Sequence, residues 1–430
     1  GSGTRRRGGQ RRRALALPVV ALAGALALAG CSAAAPSATP AQPKGLTTDF
    51  GVTRTEITLG ALTEYSGPFK ELGTGVLHGQ QVWVNQTNAA GGICGRKIKL
   101  EIRDDGDDVG KAKAQYAALE PTVLGFMQIL GSSVTTALSQ SLIDNETTAV
   151  VLSKSSELLS NPYVIIPATT YDVEMINGLS YLMEQGKIHD GDTIGHIWLD
   201  GEYGANGLRG VKYFAQRHHL TLRDARVTAT TLDMRAFVAA FAGAPRVTAI
   251  ALSTTPDQTV SAATAKQHLR LNVPMIGNRA AFTPRLLFGP AARAMVNLSV
   301  LDSSVPFSSL APRAEYVADA YRKAGYLELP NSGVPYGFAI GKIWGQLLKR
   351  ACTNGNMRRS GIQEALLQST NITTDGLVAD LDFAKQGSPA ARETSVGVPD
   401  AAVPGGLREV KPLFEAPDAR SYVAAHQTAD

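Results

Sequence analysis

Hydroxyl side chains recur directly after the apolar runs of this chain. Gly131-Ser132-Ser133 follows Leu124 to Leu130, Ser153-Lys154-Ser155-Ser156 follows Ala149 to Leu152, and Ser253-Thr254-Thr255-Pro256-Asp257 follows Val247 to Leu252. Two more such ends carry Thr63-Glu64-Tyr65-Ser66-Gly67-Pro68 and Asp200-Gly201-Glu202-Tyr203-Gly204. A hydroxyl beside the exposed N–H groups of a helix start holds a carboxylate or another polar head group. The same residue types cap helices and fill tight turns, so each of Ser66, Ser132, Ser133, Ser153, Ser155 and Ser156 has a structural reading beside the binding one. Five such ends meeting in one cleft favour binding.

Catalysis finds less support. The seven histidines are scattered, and the adjacent pair His218-His219 would point in different directions on a helix. There is no His-Glu-x-x-His, no Gly-x-Ser-x-Gly and no Gly-x-x-x-x-Gly-Lys phosphate loop. No Cys-x-x-Cys or His-flanked cysteine suggests zinc or redox chemistry. The expectation is a binding protein, not an enzyme, with no cofactor and no metal.

The elements that must present these residues alternate regularly. Ile57, Leu59 and Ala61, then Ile98, Leu100 and Ile102, show the period of a strand, and between them lies a helical stretch with Val76 and Trp83, stopped by Gly91-Gly92. Further strands are expected at Leu124 to Leu130, Ala149 to Leu152, Ile194 to Leu199, Val247 to Leu252 and Met275 to Ile276. Helices are expected at Val134 to Ile143, Val173 to Glu184, Ala205 to Arg217 and Thr259 to Leu269. Such βαβα order predicts an α/β fold of parallel sheets covered by helices on both faces. Ligands of such sheets sit beyond the carboxyl ends of the strands, where the hydroxyls are.

The first 30 residues carry an address. Six arginines, Arg5 to Arg7 and Arg11 to Arg13, precede an uncharged apolar run from Ala14 to Gly30 and then Cys31, the pattern of a secretory signal. Leu28-Ala29-Gly30-Cys31 matches the bacterial lipobox, so cleavage before Cys31 would leave a thiol to carry a lipid anchor on the outer face of the cell membrane. An uncleaved anchor helix or a signal cut further on is the other reading. The small, proline-bearing stretch after Cys31 reads as a tether over 31–47. Removing the signal takes away six arginines and leaves 36 basic against 37 acidic residues, a net of −1. The basicity belongs to the signal, which removes the argument for a nucleic-acid partner. Two cysteines remain, Cys94 and Cys352, either bridged or both buried as free thiols. The remaining length of about 380 residues suits two cores better than one.

The N-terminal motifs resemble those of a known family. Gly60-Ala61-Leu62-Thr63-Glu64-Tyr65-Ser66-Gly67-Pro68, then Gly79, then Asn88-Ala89-Ala90-Gly91-Gly92-Ile93-Cys94-Gly95-Arg96-Lys97-Ile98 and Asp104-Asp105 resemble the type I periplasmic binding proteins of the branched-chain amino-acid class, which serve ABC importers. A looser resemblance continues through Asp200 to Gly204 and the helix from Val334 to Arg350. It implies two Rossmann-like lobes, a Venus-flytrap, joined by crossings near Thr170, Ser303 and Phe383. The lobes would take 48–170 plus 304–383 and 171–303 plus 384–430. The resemblance implies Ser132 and Ser155 at a carboxylate-binding edge with Ser153 beside them, Tyr65 at the rim, Tyr203 as an aromatic lid, and Asp257 paired with a ligand ammonium. Tyr203 also reads as a packed helix-start residue and Asp257 as a helix N-cap. Asp104 and Asp105 read as turn and cap residues. Lys154, and the Tyr171-Asp172 step that adds Tyr171 to the candidate contacts, depart from the amino-acid pattern and leave room for an aromatic acid or amide.

The function so implied is capture of a small polar solute by hinge closure and its delivery, by a monomer, to ABC permease subunits. The same architecture also serves as an extracytoplasmic sensor, and one sequence does not separate the two. Residues 388–430 receive no assignment.

Overall fold

A computed structural model describes residues 45–427. Cys31, the signal and most of the tether lie outside the described residues. Strand β1 (Thr47–Thr48) is followed by β2 (Glu56–Thr63), helix α1 (Lys70–Ala89), β3 (Lys97–Asp104), α2 (Val109–Leu119), β4 (Gly125–Ile129), α3 (Ser132–Asp144), β5 (Ala149–Val151) and β6 (Val164–Ile165). Strands β2 to β6 form a parallel sheet in the order β3-β2-β4-β5-β6. The apolar residues of β2 and β4 are buried, as a sheet covered on both faces requires.

The chain then builds a second sheet through α4 (Tyr171–Glu184), β7 (Thr193–Leu199), α5 (Glu202–Arg217), β8 (Thr221–Val227), α6 (Arg235–Ala242), β9 (Ala249–Ser253), α7 (Pro256–His268), β10 (Met275–Asn278) and β11 (Leu298–Asp302). It returns to the first lobe as α8 (Pro312–Ala324), α9 (Gly333–Thr353), β12 (Asn356–Met357), which pairs with β1, and α10 (Arg359–Leu367). The last elements are β13 (Thr394–Pro399), β14 (Leu407–Phe414) and α11 (Pro417–Ser421). The second sheet runs β14-β13-β11-β10-β9-β7-β8.

Helix α9 lies against α1, and two glycines set how closely. A Cβ on Gly79 would stand 2.0 Å from the Val334 carbonyl oxygen, and one on Gly337 would stand 1.9 Å from that of Val76. Only hydrogen fits at these crossings. Tyr336, Phe338 and Trp344 of α9 are fully buried in the first core beside Ile57, Leu59 and Trp83. Cys94, after α1, is disulfide-bonded to Cys352, at the end of α9, so the bridge joins segments 258 residues apart. The second lobe packs Phe241, Ile250 and Leu252 on one side of its sheet and Ile176, Leu179 and Phe214 on the other.

Several expectations need correction. Leu46 and Thr47 belong with the first lobe and not with a tether, because Thr47 pairs with Asn356 and Leu46 packs on the first core. The third crossing lies beyond Phe383: Phe383 and Ala391 both belong to the first core, whereas Arg392 donates to the carbonyls of Ala419 and Tyr422. The sheets are not wholly parallel, since β13 and β14 add an antiparallel edge to the second. The crossings are tied to one another: Thr169 Oγ1 donates to the Glu393 carbonyl (2.6 Å), and Ser395 Oγ donates to the carbonyls of Asp302 and Ser304 (each 3.1 Å).

Candidate ligand cleft

The carboxyl ends of the two sheets enclose a cavity of about 200 Å³. On the first lobe, Gly131 takes φ +95° ahead of α3, which turns the chain so that Ser132 and Ser133 open the helix at the cavity wall. Ser132 Oγ and Ser153 Oγ share a hydrogen bond of 2.8 Å. Ser133 donates to Asp107 (3.0 Å), which also lines the cavity and whose carboxyl is raised above its ordinary range by burial. The wall thus offers hydroxyls and a helix start, the groups that receive a carboxylate.

On the second lobe, Gly201 at φ +114° precedes α5 and brings Asp200, Glu202 and Tyr203 to the cavity. Tyr203 is buried, donates its hydroxyl to the Thr254 carbonyl (3.2 Å), packs on Tyr171 with ring centres 4.9 Å apart, and meets the edge of Phe69 at 6.1 Å. Burial pushes the Tyr171 hydroxyl up to about 12 and the Tyr203 hydroxyl well above its usual range, so both act as neutral donors. Phe69, Leu72, Leu130, Leu152 and Leu199 complete an apolar wall. Its size and composition suit a small molecule with an apolar body and few polar points.

The cavity therefore brings together Ser132, Ser133, Ser153, Tyr171 and Tyr203. Five other expected contacts lie elsewhere. Ser155 is buried behind the wall, where it caps a short turn at Glu157 N–H and donates across the lobes to Glu202 (3.2 Å). Ser156 belongs to a buried cluster, donating to Asp172 (2.7 Å) while accepting from Asn206 (2.7 Å). Ser66 faces Asp104 at 3.5 Å. Tyr65 is half exposed on a separate cavity, and its N–H donates to Asp104 (2.9 Å).

Asp257 neither lines the cleft nor caps α7. The cap is Thr255, whose hydroxyl accepts from Gln258 N–H (3.3 Å), while the Gln258 side chain returns to the Thr255 N–H. Asp257 sits one position inside the helix, exposed, with Arg285 at 3.1 Å. Lys154 also turns away: its ammonium is buried against Glu174, so the departure at this position does not reach the cavity. Asp104 and Asp105 hold turns as expected, accepting from Gly106 and Asp107 N–H groups.

The residues missed by sequence reasoning are mostly apolar, Phe69 and Leu72 among them, which nothing local separates from core. Asp107 and Glu202 had a signal, since Asp107 lies two residues past Asp105 and Glu202 stands inside the Asp200 to Gly204 segment. No helix among the described residues is long and apolar enough to cross a membrane.

Residues 56–398 match the model of a family described as periplasmic binding protein. A solved structure described as a fatty acid ABC transporter substrate-binding protein from Thermomonospora curvata is 33% identical, with TM-score 0.85 over 89% of this chain and 98% of that one. A branched chain amino acid ABC transporter structure from Thermus thermophilus with bound valine shares the fold, with TM-score 0.75 at 16% identity over 86% of this chain and 99% of that one. A Leu/Ile/Val-binding protein of Rhizobium johnstonii is 29% identical over 115 residues, which span 27% of this chain and 29% of that relative's length.

Proposed function

This chain belongs to the periplasmic binding protein family, and from that premise we propose that it is the extracytoplasmic solute-binding component of an ABC importer. The family binds solutes and works no chemistry on them. The solute is a small molecule with a carboxylate head and an apolar body, a branched-chain amino acid or a related amide or carboxylate. The protein acts as a monomer, held to the membrane by a lipid on Cys31, and hands its solute to permease subunits.

The observation that carries this reading is the two-sided cavity itself. Ser132, Ser133 and Ser153 of the first lobe face Glu202 and Tyr203 of the second across about 200 Å³ of largely apolar space. A solute resting on the first lobe gains the second lobe's contacts only when the hinge closes, so it stabilises the closed form by that difference in affinity.

Charge favours an amino acid over a plain fatty acid. Asp107, Asp200 and Glu202 line the cavity, and no Lys, Arg or His is among the described residues that do. Asp200 is neutralised by Arg226 at 2.6 Å, which leaves Asp107 and Glu202 to face a ligand ammonium while the serines and the α3 start take the carboxylate. The amino-acid solute of the Rhizobium relative and the valine in the Thermus structure fit this arrangement. The Thermomonospora structure, described as a fatty acid protein, makes an alkanoate the sharpest competitor.

The test is calorimetric titration of the protein with leucine, valine, phenylalanine and octanoate. Leucine or valine binding with octanoate silent supports the reading. Octanoate binding with the amino acids silent keeps the family and replaces the solute class.

A further inference from the structure

Arg285 lies in a short turn, Pro284–Leu287, anchored in the second lobe by buried Leu286. Its guanidinium has two carboxylates. Nη2 meets Asp257 at 3.1 Å within the same lobe, and Nε meets Glu71 at 2.8 Å in the first turn of α1, across the divide. Glu71 is next to Leu72 and two residues from Phe69, both of which line the solute cavity, yet it does not line that cavity itself.

We propose that Arg285 is a positioning residue for solute retention, a bridge that ties the second lobe to Glu71 once the lobes have closed. This rests on the reading that the lobes close over a solute. Two different carboxylates give the guanidinium two different tasks. Asp257 moves with Arg285 and keeps its planar fork aimed in the open form as well as the closed one. Glu71 belongs to the other body, so its contact exists only when the lobes meet and counts wholly toward the closed form. Arg285 also borders the separate cavity of about 320 Å³ that holds Tyr65. Solvent therefore reaches the bridge, and the Arg285 and Glu71 side chains are 51% and 25% exposed. A pair so placed is modest and screened by salt, and its loss should change a dissociation constant by roughly three- to five-fold at low ionic strength.

Glu71→Gln removes the cross-lobe charge while leaving the Arg285–Asp257 contact intact. Spin labels at Lys113 in α2 and Ala236 in α6, one on each lobe and both exposed, report lobe separation by pulsed dipolar spectroscopy. Stopped-flow release of leucine reports retention. The expected result for Glu71→Gln at low salt is a shift of the label distances toward longer values and a roughly three- to five-fold faster release. Both differences from the unaltered protein should vanish in 1 M salt, as the roughly 3 Å screening length there requires; a purely structural role for Glu71 would not show that dependence. Label distances unchanged by Glu71→Gln overturn the bridge. Shifted distances in a protein that does not bind leucine leave the bridge standing and overturn the amino-acid reading instead.

Discussion

Lys154 of the first lobe and Glu174 of the second form an ion pair buried on both sides, with side chains 3% and 0% exposed. Ser303, at the second crossing, donates to the same carboxylate, and the Asn278 amide donates to its other oxygen (2.7 Å). Burial pulls the Lys154 ammonium below its usual range, opposed by the adjacent Glu174 charge. The pair lies among the ties between crossings, since Ser303 also donates to the Thr169 carbonyl (3.4 Å).

Breaking this pair from one side strands a charge. Lys154→Met leaves Glu174 buried without its cation and should cost about 3–5 kcal/mol in urea unfolding. Adding Glu174→Gln removes the stranded charge, so the double variant should recover most of that loss. Equal destabilisation of the single and double variants would mean that shape, not charge, fixes Lys154.

The two remaining unneutralised acids at the cavity are expected to sort its solutes. Glu202→Gln keeps the shape and the Ser155 hydrogen bond but removes the charge facing the solute. A charge-assisted bond to a ligand is worth roughly 1.5–3 kcal/mol, so leucine affinity should fall at least tenfold. Octanoate, with no ammonium to lose, should hold or gain. Asp257→Ala, acting only through Arg285, should weaken leucine by no more than about five-fold. A larger loss for Asp257→Ala than for Glu202→Gln would return the ammonium contact to Asp257.

The alternation of Ile57 and Leu59 and the Gly91-Gly92 stop locate β2 and the end of α1 because period and turn chemistry are local properties. β8 went unseen because its residues, Thr221-Leu222-Arg223-Asp224-Ala225-Arg226-Val227, lie at the sheet edge with much of the strand exposed. β13 pairs with β11 across nearly a hundred residues, Val300 with Gly397, a relation no short window contains, and β14 joins the sheet only through β13. At the site, serines after strands mark the right edge of the sheet but not which way each side chain turns. Ser153 reaches the cavity, while Ser155 in the same turn donates to Glu202 and Ser156 to buried Asp172. Asp257 misled because Thr255 and Gln258 complete the cap without it.

The Cys94–Cys352 bridge ties the start of β3 to the end of α9, both within the first lobe. Replacing both cysteines by serine should lower unfolding stability by about 2–4 kcal/mol through the freed denatured chain. Solute affinity should stay within twofold, because neither residue lines the cavity. Unchanged stability in the double variant would show that the α1–α9 packing alone holds these segments together.

Beneath the serine edge, Glu64 is fully buried. One carboxyl oxygen accepts from the Phe69 N–H (3.2 Å), and the other has no partner. Burial, and then the Asp107 charge, raise its pKa from 4.5 to about 8, with Asp105 and Asp104 adding to the repulsion. Between those two values the folded protein keeps a proton that the unfolded chain has released, so unfolding stability should fall as pH rises from about 5 to about 8 and level off above. Asp105, raised to about 6 chiefly by burial, contributes the same sign over a lower window. Glu64→Gln preserves an acceptor for Phe69 and removes the titration. Its melting temperature should therefore decline less than that of the unaltered protein between pH 6 and pH 8, with the Asp105 part surviving below pH 6. Parallel melting curves for the two proteins across the whole range would mean that Glu64 is ionised in the folded state, with water reaching its second oxygen.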